Sequence, residues 1–287
     1  IAENRINCVI IQGAFIHAPK FKAATKGTKC KVIFAHHFEP RWELVFGRFA
    51  EIIKKIPNSF LDFPRWIKSI IIYPLTVKGK EQQLSSAYRI AYESADRVVL
   101  LCHNFIKSYA EFAGIQDKSK YAVIPNALSF DFTLSFDELS KQKVVLIVAR
   151  FDEVSKRLLL ALRIWARVKQ DPVAKDWVLR IVGDGNDRGL YERMIHNEHI
   201  PDVFLEGRQD PITYYKEASI FMMTSRSESW GLTLTEAQQM GVVPVAFDTY
   251  ASLHDIINDE KNGIIIDEGD LDSYVNRMKK LMIDSDL

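Results

Sequence analysis

From Val144 to its end, the chain alternates short apolar runs with amphipathic stretches, and nothing else in its 287 residues constrains the fold as strongly. Strands are read at 144–149, 177–182, 202–205, 219–223, 242–247 and 263–266, with helical spacing at 156–170, 188–196, 211–217, 232–240, 252–258 and 271–282. Continuously apolar strands are buried on both faces, and the helices between them supply the covers, so a parallel α/β sheet follows. The first half repeats the alternation less regularly, with strands at 9–12, 30–35, 97–102 and 121–124 and helices at 82–94 and 104–112. A further helical spacing over 41–56 rests on Trp42, Leu44, Val45, Phe49, Ile52 and Ile53. The segment 57–80, punctuated by Pro57, Pro64 and Pro74 and rich in aromatic and basic residues, reads equally as a buried irregular connection or as a patch that docks on an anionic membrane face. The expected architecture is two Rossmann-like, doubly wound domains facing across a cleft, at 1–128 and 141–287, joined by a polar linker at 129–140.

Charge divides along the same line. Up to residue 128 there are 19 Lys and Arg against 10 Asp and Glu, and beyond it 19 against 27. The basic half suits an anionic surface or substrate, and an uneven split of solvated charge explains it equally well. Three cysteines without metal-ligand spacing fit free thiols in a reducing compartment. No run approaches ~20 apolar residues. The chain opens Ile1-Ala2-Glu3 without Met, and a piece of a longer protein is expected.

The chemistry concentrates where strands end. Glu228 and Glu236 flank the exit from the strand at 219–223 and the start of a helix near Leu232, with Gly231 at the turn. In open α/β sheets ligands bind at that edge. Arg150 follows the strand at 144–149, Lys156 is placed at the start of the next helix, and Gly183-Asp184-Gly185 closes a third strand. Two cations beside a helix N-terminus make an anion site suited to a diphosphate. Surface ion pairs of Arg150 and Lys156 with Asp152 and Glu153 are the plainer alternative. Gly-Asp-Gly alone is weak evidence, since turns use these residues routinely. The glutamates could also serve as the paired carboxylates of a glycosidase. His36-His37 ends a strand of the first half, where a histidine is more often structural than catalytic. No P-loop, Gly-x-Gly-x-x-Gly or metal-spaced cluster is present.

The combination of Arg150, Lys156, Gly183-Asp184-Gly185, the Glu228-x7-Glu236 pair and Gly241-Val242-Val243-Pro244-Val245 resembles the donor domain of retaining GT-B glycosyltransferases of family GT4. Residues 31–37, Ala95-Asp96-Arg97-Val98-Val99 and Ile124-Pro125-Asn126-Ala127 are similar to landmarks of the family's acceptor domain. The resemblance implies that Arg150 and Lys156 hold the donor diphosphate, Glu228 lies by the sugar hydroxyls and Glu236 holds the ribose. It places Ser229, Trp230, Gly231, Leu232 and Thr233 around sugar and phosphate, with Gly183, Asp184 and Gly185 nearby. His37, by its spacing, is implied as the cleft histidine in preference to His36. The chain departs from the family at Ser229-Trp230, where Gly-Phe is frequent, and at Arg157, where glycine is frequent. The implied activity is metal-independent, cofactor-free transfer from a nucleotide-sugar, a UDP-sugar first, to a glycan or lipid-diphosphate-linked acceptor of surface polysaccharide. A cytoplasmic setting at the inner face of an anionic membrane goes with that expectation, and nucleic acid does not. A nucleotide-binding scaffold without turnover and a GT-B sugar-nucleotide epimerase are the rival readings.

Overall fold

The computed structural model describes residues 5–45, 63–132 and 141–283. The chain divides into two compact units, Ile1–Pro125 and Asn126–Leu287. The first contains β1 (Cys8–Gln12), α1 (Ala18–Ala24), β2 (Lys31–His36), α2 (Trp42–Val45), α3 (Phe63–Ser94), β3 (Arg97–Leu100), α4 (His103–Ala113) and β4 (Tyr121–Val123). Its strands lie in the order β1-β2-β3-β4, all parallel, with Val9 against Val32, Phe34 against Val98 and Val98 against Tyr121. Asp96 fixes the start of β2 by accepting from the Val32 amide at 2.9 Å and from Lys22 at 3.1 Å.

Helix α3 is a correction to the sequence reading, because residues 63–80 are helical and continuous with 82–94. Pro64 falls in the first turn, where its missing N–H has no intrahelical partner to lose. Pro74 lies inside, where a proline removes a backbone bond and crowds the preceding turn. Burial of Tyr88, Ala91 and Tyr92 at the far end anchors the helix against that cost. The helix expected over 41–56 is described only as far as Val45, and Phe49, Ile52, Ile53, Pro57 and Phe60 lie outside the described residues.

The second unit contains β5 (Val144–Val148), a single turn α5 (Glu153–Lys156), α6 (Leu158–Val168), β6 (Val178–Val182), α7 (Arg188–Asn197), β7 (Val203–Gly207), α8 (Pro211–Glu217), β8 (Ile220–Met223), α9 (Leu232–Gln239), β9 (Val243–Asp248), α10 (Leu253–Ile256), β10 (Ile264–Asp267) and α11 (Leu271–Ile283). Its six parallel strands lie in the order β10-β9-β8-β5-β6-β7. The chain therefore winds outward from β5 on one side, then returns beside β5 and winds out on the other. β8 is buried along its whole length and β5 along all but its last residue, as strands covered on both faces must be. Helix α6 buries Leu158, Ala161, Leu162, Trp165 and Val168, a stripe at helical spacing, and α11 buries Tyr274, Val275, Met278 and Leu281 in the same core. Of the expected linker, residues 129–132 are described, and Ser129 and Phe130 bond to Glu236 and Gln239 of α9.

Candidate functional site

Adjacent β5 and β8 form the point where the winding reverses, and the crevice outside their C-terminal ends is the default ligand site of such a sheet. Arg150 and Lys156 leave β5, and Glu228 leaves β8. Lys156 Nζ donates to Glu228 Oε1 at 2.5 Å, with the two side chains 21% and 16% exposed. This is neither of the plainer pairings, because Lys156 reaches across the reversal point instead of pairing with Glu153. Arg150 does follow the plain alternative, donating to Asp152 at 3.1 Å, yet its side chain remains 71% exposed. Lys156 also sits differently from expectation. It closes the one-turn helix α5 and precedes α6, because Arg157 adopts a left-handed φ of 51° that separates the two helices.

Hydrogen bonds to backbone carbonyls tie the two exits together. Arg226 N–H donates to Ser155 O at 2.7 Å, and Thr224 Oγ1 donates to the carbonyls of Lys156 and Arg157 at 3.0 and 3.1 Å. The glycines of Gly183-Asp184-Gly185 serve a close approach of the chain to itself. A Cβ at Gly183 would lie 1.8 Å from Ala149 O, and one at Gly185 would lie 2.4 Å from Phe151 O. The exit from β6 is thereby pressed against the segment that carries Arg150, with Phe151 N–H bonded to Asp184 O at 2.9 Å.

An open depression of about 1170 Å³ lies here, with Arg150, Lys156, Gly183, Asp184, Gly185 and Thr233 in its walls. Sequence reasoning missed Arg208 and Gln209, which line it from the exit of β7. The signal was available, since Gly207 marks that strand end with φ 75° and every strand of a parallel sheet exits at one edge.

Leu232 starts α9 as expected, and Gly231 before it has φ 95°. Trp230 is buried, and its indole N–H has no partner among the described residues. Ser229 is half-buried beside it. A Cβ at Gly231 would come within 3.0 Å of the Tyr250 hydroxyl. Burial first, and then the Glu228 charge, hold that hydroxyl well above its ordinary range, so Tyr250 remains a neutral donor. Glu236 accepts from Ser129 Oγ at 2.6 Å and Tyr215 Oη at 2.9 Å, which leaves part of its acceptor capacity free.

In the first unit, His36 and His37 have separate surroundings. His36 is buried among Phe15, Phe34, Tyr88 and Tyr109, with Nε2 3.1 Å from Tyr88 Oη. Desolvation first, and His37 second, push its pKa down to about 3, so it is a neutral core histidine. His37 follows the end of β2, half-buried, with Nε2 enclosed and lacking a partner among the described residues. Among the described residues no three His, Cys, Asp or Glu side chains are grouped to hold a metal ion. Cys8 is exposed and free, and Cys30 and Cys102 are buried and unbridged.

The sequence that builds this sheet and its lysine–glutamate pair matches one family model, glycosyl transferases group 1, over residues 133–287. The chain belongs to this family. Among its relatives, the N-acetyl-alpha-D-glucosaminyl L-malate synthase of Bacillus anthracis is 26% identical over 222 residues, covering 74% of this chain and 57% of that protein. The amylovoran biosynthesis glycosyltransferase AmsD of Erwinia amylovora is 28% identical over 203 residues, covering 68% of this chain and 55% of that protein. The chain thus spans little more than half the length of these relatives. Anabaena Alr3699/HepE, solved in complex with UDP, superposes with a TM-score of 0.67 at 15% identity over 94% of this chain and 68% of that one. The GT-B fold expected from the sequence is the fold the group 1 chain shares with such structures.

Proposed function

We propose that the protein transfers a sugar, with retention of configuration, from a UDP-sugar to a glycan or lipid-diphosphate-linked saccharide of a bacterial surface polysaccharide. The observation that carries this reading is the Lys156–Glu228 pair at the reversal point, where the exit of β5 supplies a lysine and the exit of β8 a carboxylate. Breaking a glycosyl–phosphate bond builds positive character on the sugar and negative charge on the departing diphosphate. Arg150 and Lys156 stabilise the departing charge from fixed positions, and no metal ion is required for that step. The Glu228 carboxylate accepts from sugar hydroxyls while it orients Lys156. Glu236 accepts from the ribose, and amides at the start of α9 support the phosphates. The names of the two relatives favour sugar transfer in cell-surface and small-glycoside synthesis, and the UDP in HepE favours uridine. The excess of Lys and Arg up to residue 128, with Lys20, Phe21, Lys22 and Lys26 exposed on and after α1, fits work at an anionic membrane face in the cytoplasm.

Calorimetric titration with UDP, GDP and ADP tests the site. Micromolar UDP binding that falls about 10- to 100-fold in Lys156→Ala, and by less in the more exposed Arg150→Ala, is expected from losing a charge-assisted bond of roughly 1.5–3 kcal/mol. UDP affinity indifferent to both substitutions refutes the assignment. Sugar transfer lost in Glu228→Ala separates an enzyme from a nucleotide-binding scaffold.

A further inference from the structure

Arg157 stands where the family frequently has glycine, and its backbone shows why glycine is common there. With φ 51° and ψ 46° it occupies the left-handed region, which side-chain-bearing residues rarely adopt. Such a conformation persists only where the surroundings over-determine it. Here the side chain does so. The side chain is 14% exposed, and its guanidinium ends at four points on the site side of the sheet. Nε donates to Thr224 O at 2.7 Å and Nη2 to Ser225 O at 3.2 Å, the first two carbonyls beyond β8. Nη1 donates to Glu268 at 2.9 Å, just beyond β10, and the group lies 5.7 Å from the centre of the Phe247 ring on β9. One planar fork therefore ties together the exits of three neighbouring strands.

We propose that Arg157 is a positioning residue, which sets the loop carrying Glu228 against the turn carrying Lys156. This rests on reading that pair as the donor site. Arg157 follows Lys156 directly, and its bonds to Thr224 and Ser225 fix the chain three residues before Glu228. The Thr224 hydroxyl returns the tie by donating to the Lys156 and Arg157 carbonyls. Because Glu268 neutralises Arg157 and its fork is already engaged, the residue contributes geometry to a diphosphate site and adds no free charge. Lysine could keep the ion pair, but a single ammonium lacks the planar fork that spans two carbonyls and a carboxylate.

The experiment compares UDP affinity and thermal midpoint in the full chain for the parent, Lys156→Ala, Arg157→Gly and Arg157→Lys. Arg157→Gly relaxes the backbone while removing the fork, so its midpoint is expected to stay within a few degrees of the parent. UDP affinity is expected to fall about tenfold in Arg157→Gly and at least threefold in Arg157→Lys, while in the double variant Arg157→Gly adds little further loss on top of Lys156→Ala. Parental affinity in both Arg157 variants, alongside a loss in Lys156→Ala, overturns the positioning role and leaves the donor-site reading standing. Parental affinity in Lys156→Ala overturns that reading itself. A lowered midpoint with unchanged UDP affinity assigns Arg157 to stability alone and also overturns the proposal.

Discussion

Replacing Glu228 by Gln keeps an amide oxygen where Lys156 can still donate, but it removes a negative charge from the edge of an anion site. A phosphate oxygen bonded to Lys156 at about 2.8 Å lies within roughly 5 Å of Glu228, given the 2.5 Å from Nζ to Oε1. At an effective dielectric of about 20 to 40, two like unit charges at that distance repel by roughly 1.5–3 kcal/mol. The free nucleoside diphosphate is therefore expected to bind Glu228→Gln about tenfold more tightly than the parent, even as sugar transfer is lost. Calorimetry with UDP in low and moderate salt reads this directly, because an electrostatic gain shrinks as salt rises. The unliganded variant is expected to lose roughly 1 kcal/mol of stability, between the values for exposed and fully buried pairs, since both partners are mostly covered. Weaker or unchanged UDP binding in Glu228→Gln refutes the placement of the diphosphate beside Lys156.

Gly183→Ala and Gly185→Ala each drive a Cβ into backbone of the β5 exit, and both are expected to cost several kcal/mol, roughly 2–4, by thermal or denaturant unfolding. Wild-type stability in either variant contradicts the close approach. His36 binds protons in the unfolded chain near pH 6.5 but in the folded one only near pH 3, so its contribution to stability is complete above 6.5 and lost as pH falls. Between pH 6.5 and 5 the loss is expected to be roughly 2 kcal/mol, and His36→Phe should remove most of that slope in denaturant titrations. An equal slope in the variant shows that other groups carry the acid sensitivity.

The second unit was legible because its strands are apolar throughout and its helices amphipathic, and each predicted strand there has its counterpart. Helix α3 was not, because Pro64 and Pro74 look like breaks when the tertiary burial of Tyr88 and Tyr92 is invisible. Arg150, Lys156 and Glu228 could be placed at strand ends from the sequence alone. Their mutual geometry could not, since alternation fixes which residues end strands but leaves open that β8 lies beside β5. The Lys156–Glu228 bond depends on that order and spans 72 residues of chain. The partners of Glu236, Ser129 and Tyr215, were hidden for the same reason.

The place of β5 and β8 in the sheet has a bearing on motion. They are the two central strands of six, shielded on each side by two others, while β7 and β10 form the edges. Local opening begins where few neighbours hold a strand, so amide hydrogens of β7 and β10 should exchange well before those of β5 and β8. The side chains that would handle a donor thus hang from the part of the unit that opens last. Fraying of either edge leaves their anchorage intact, and the pair is lost only when the unit as a whole gives way.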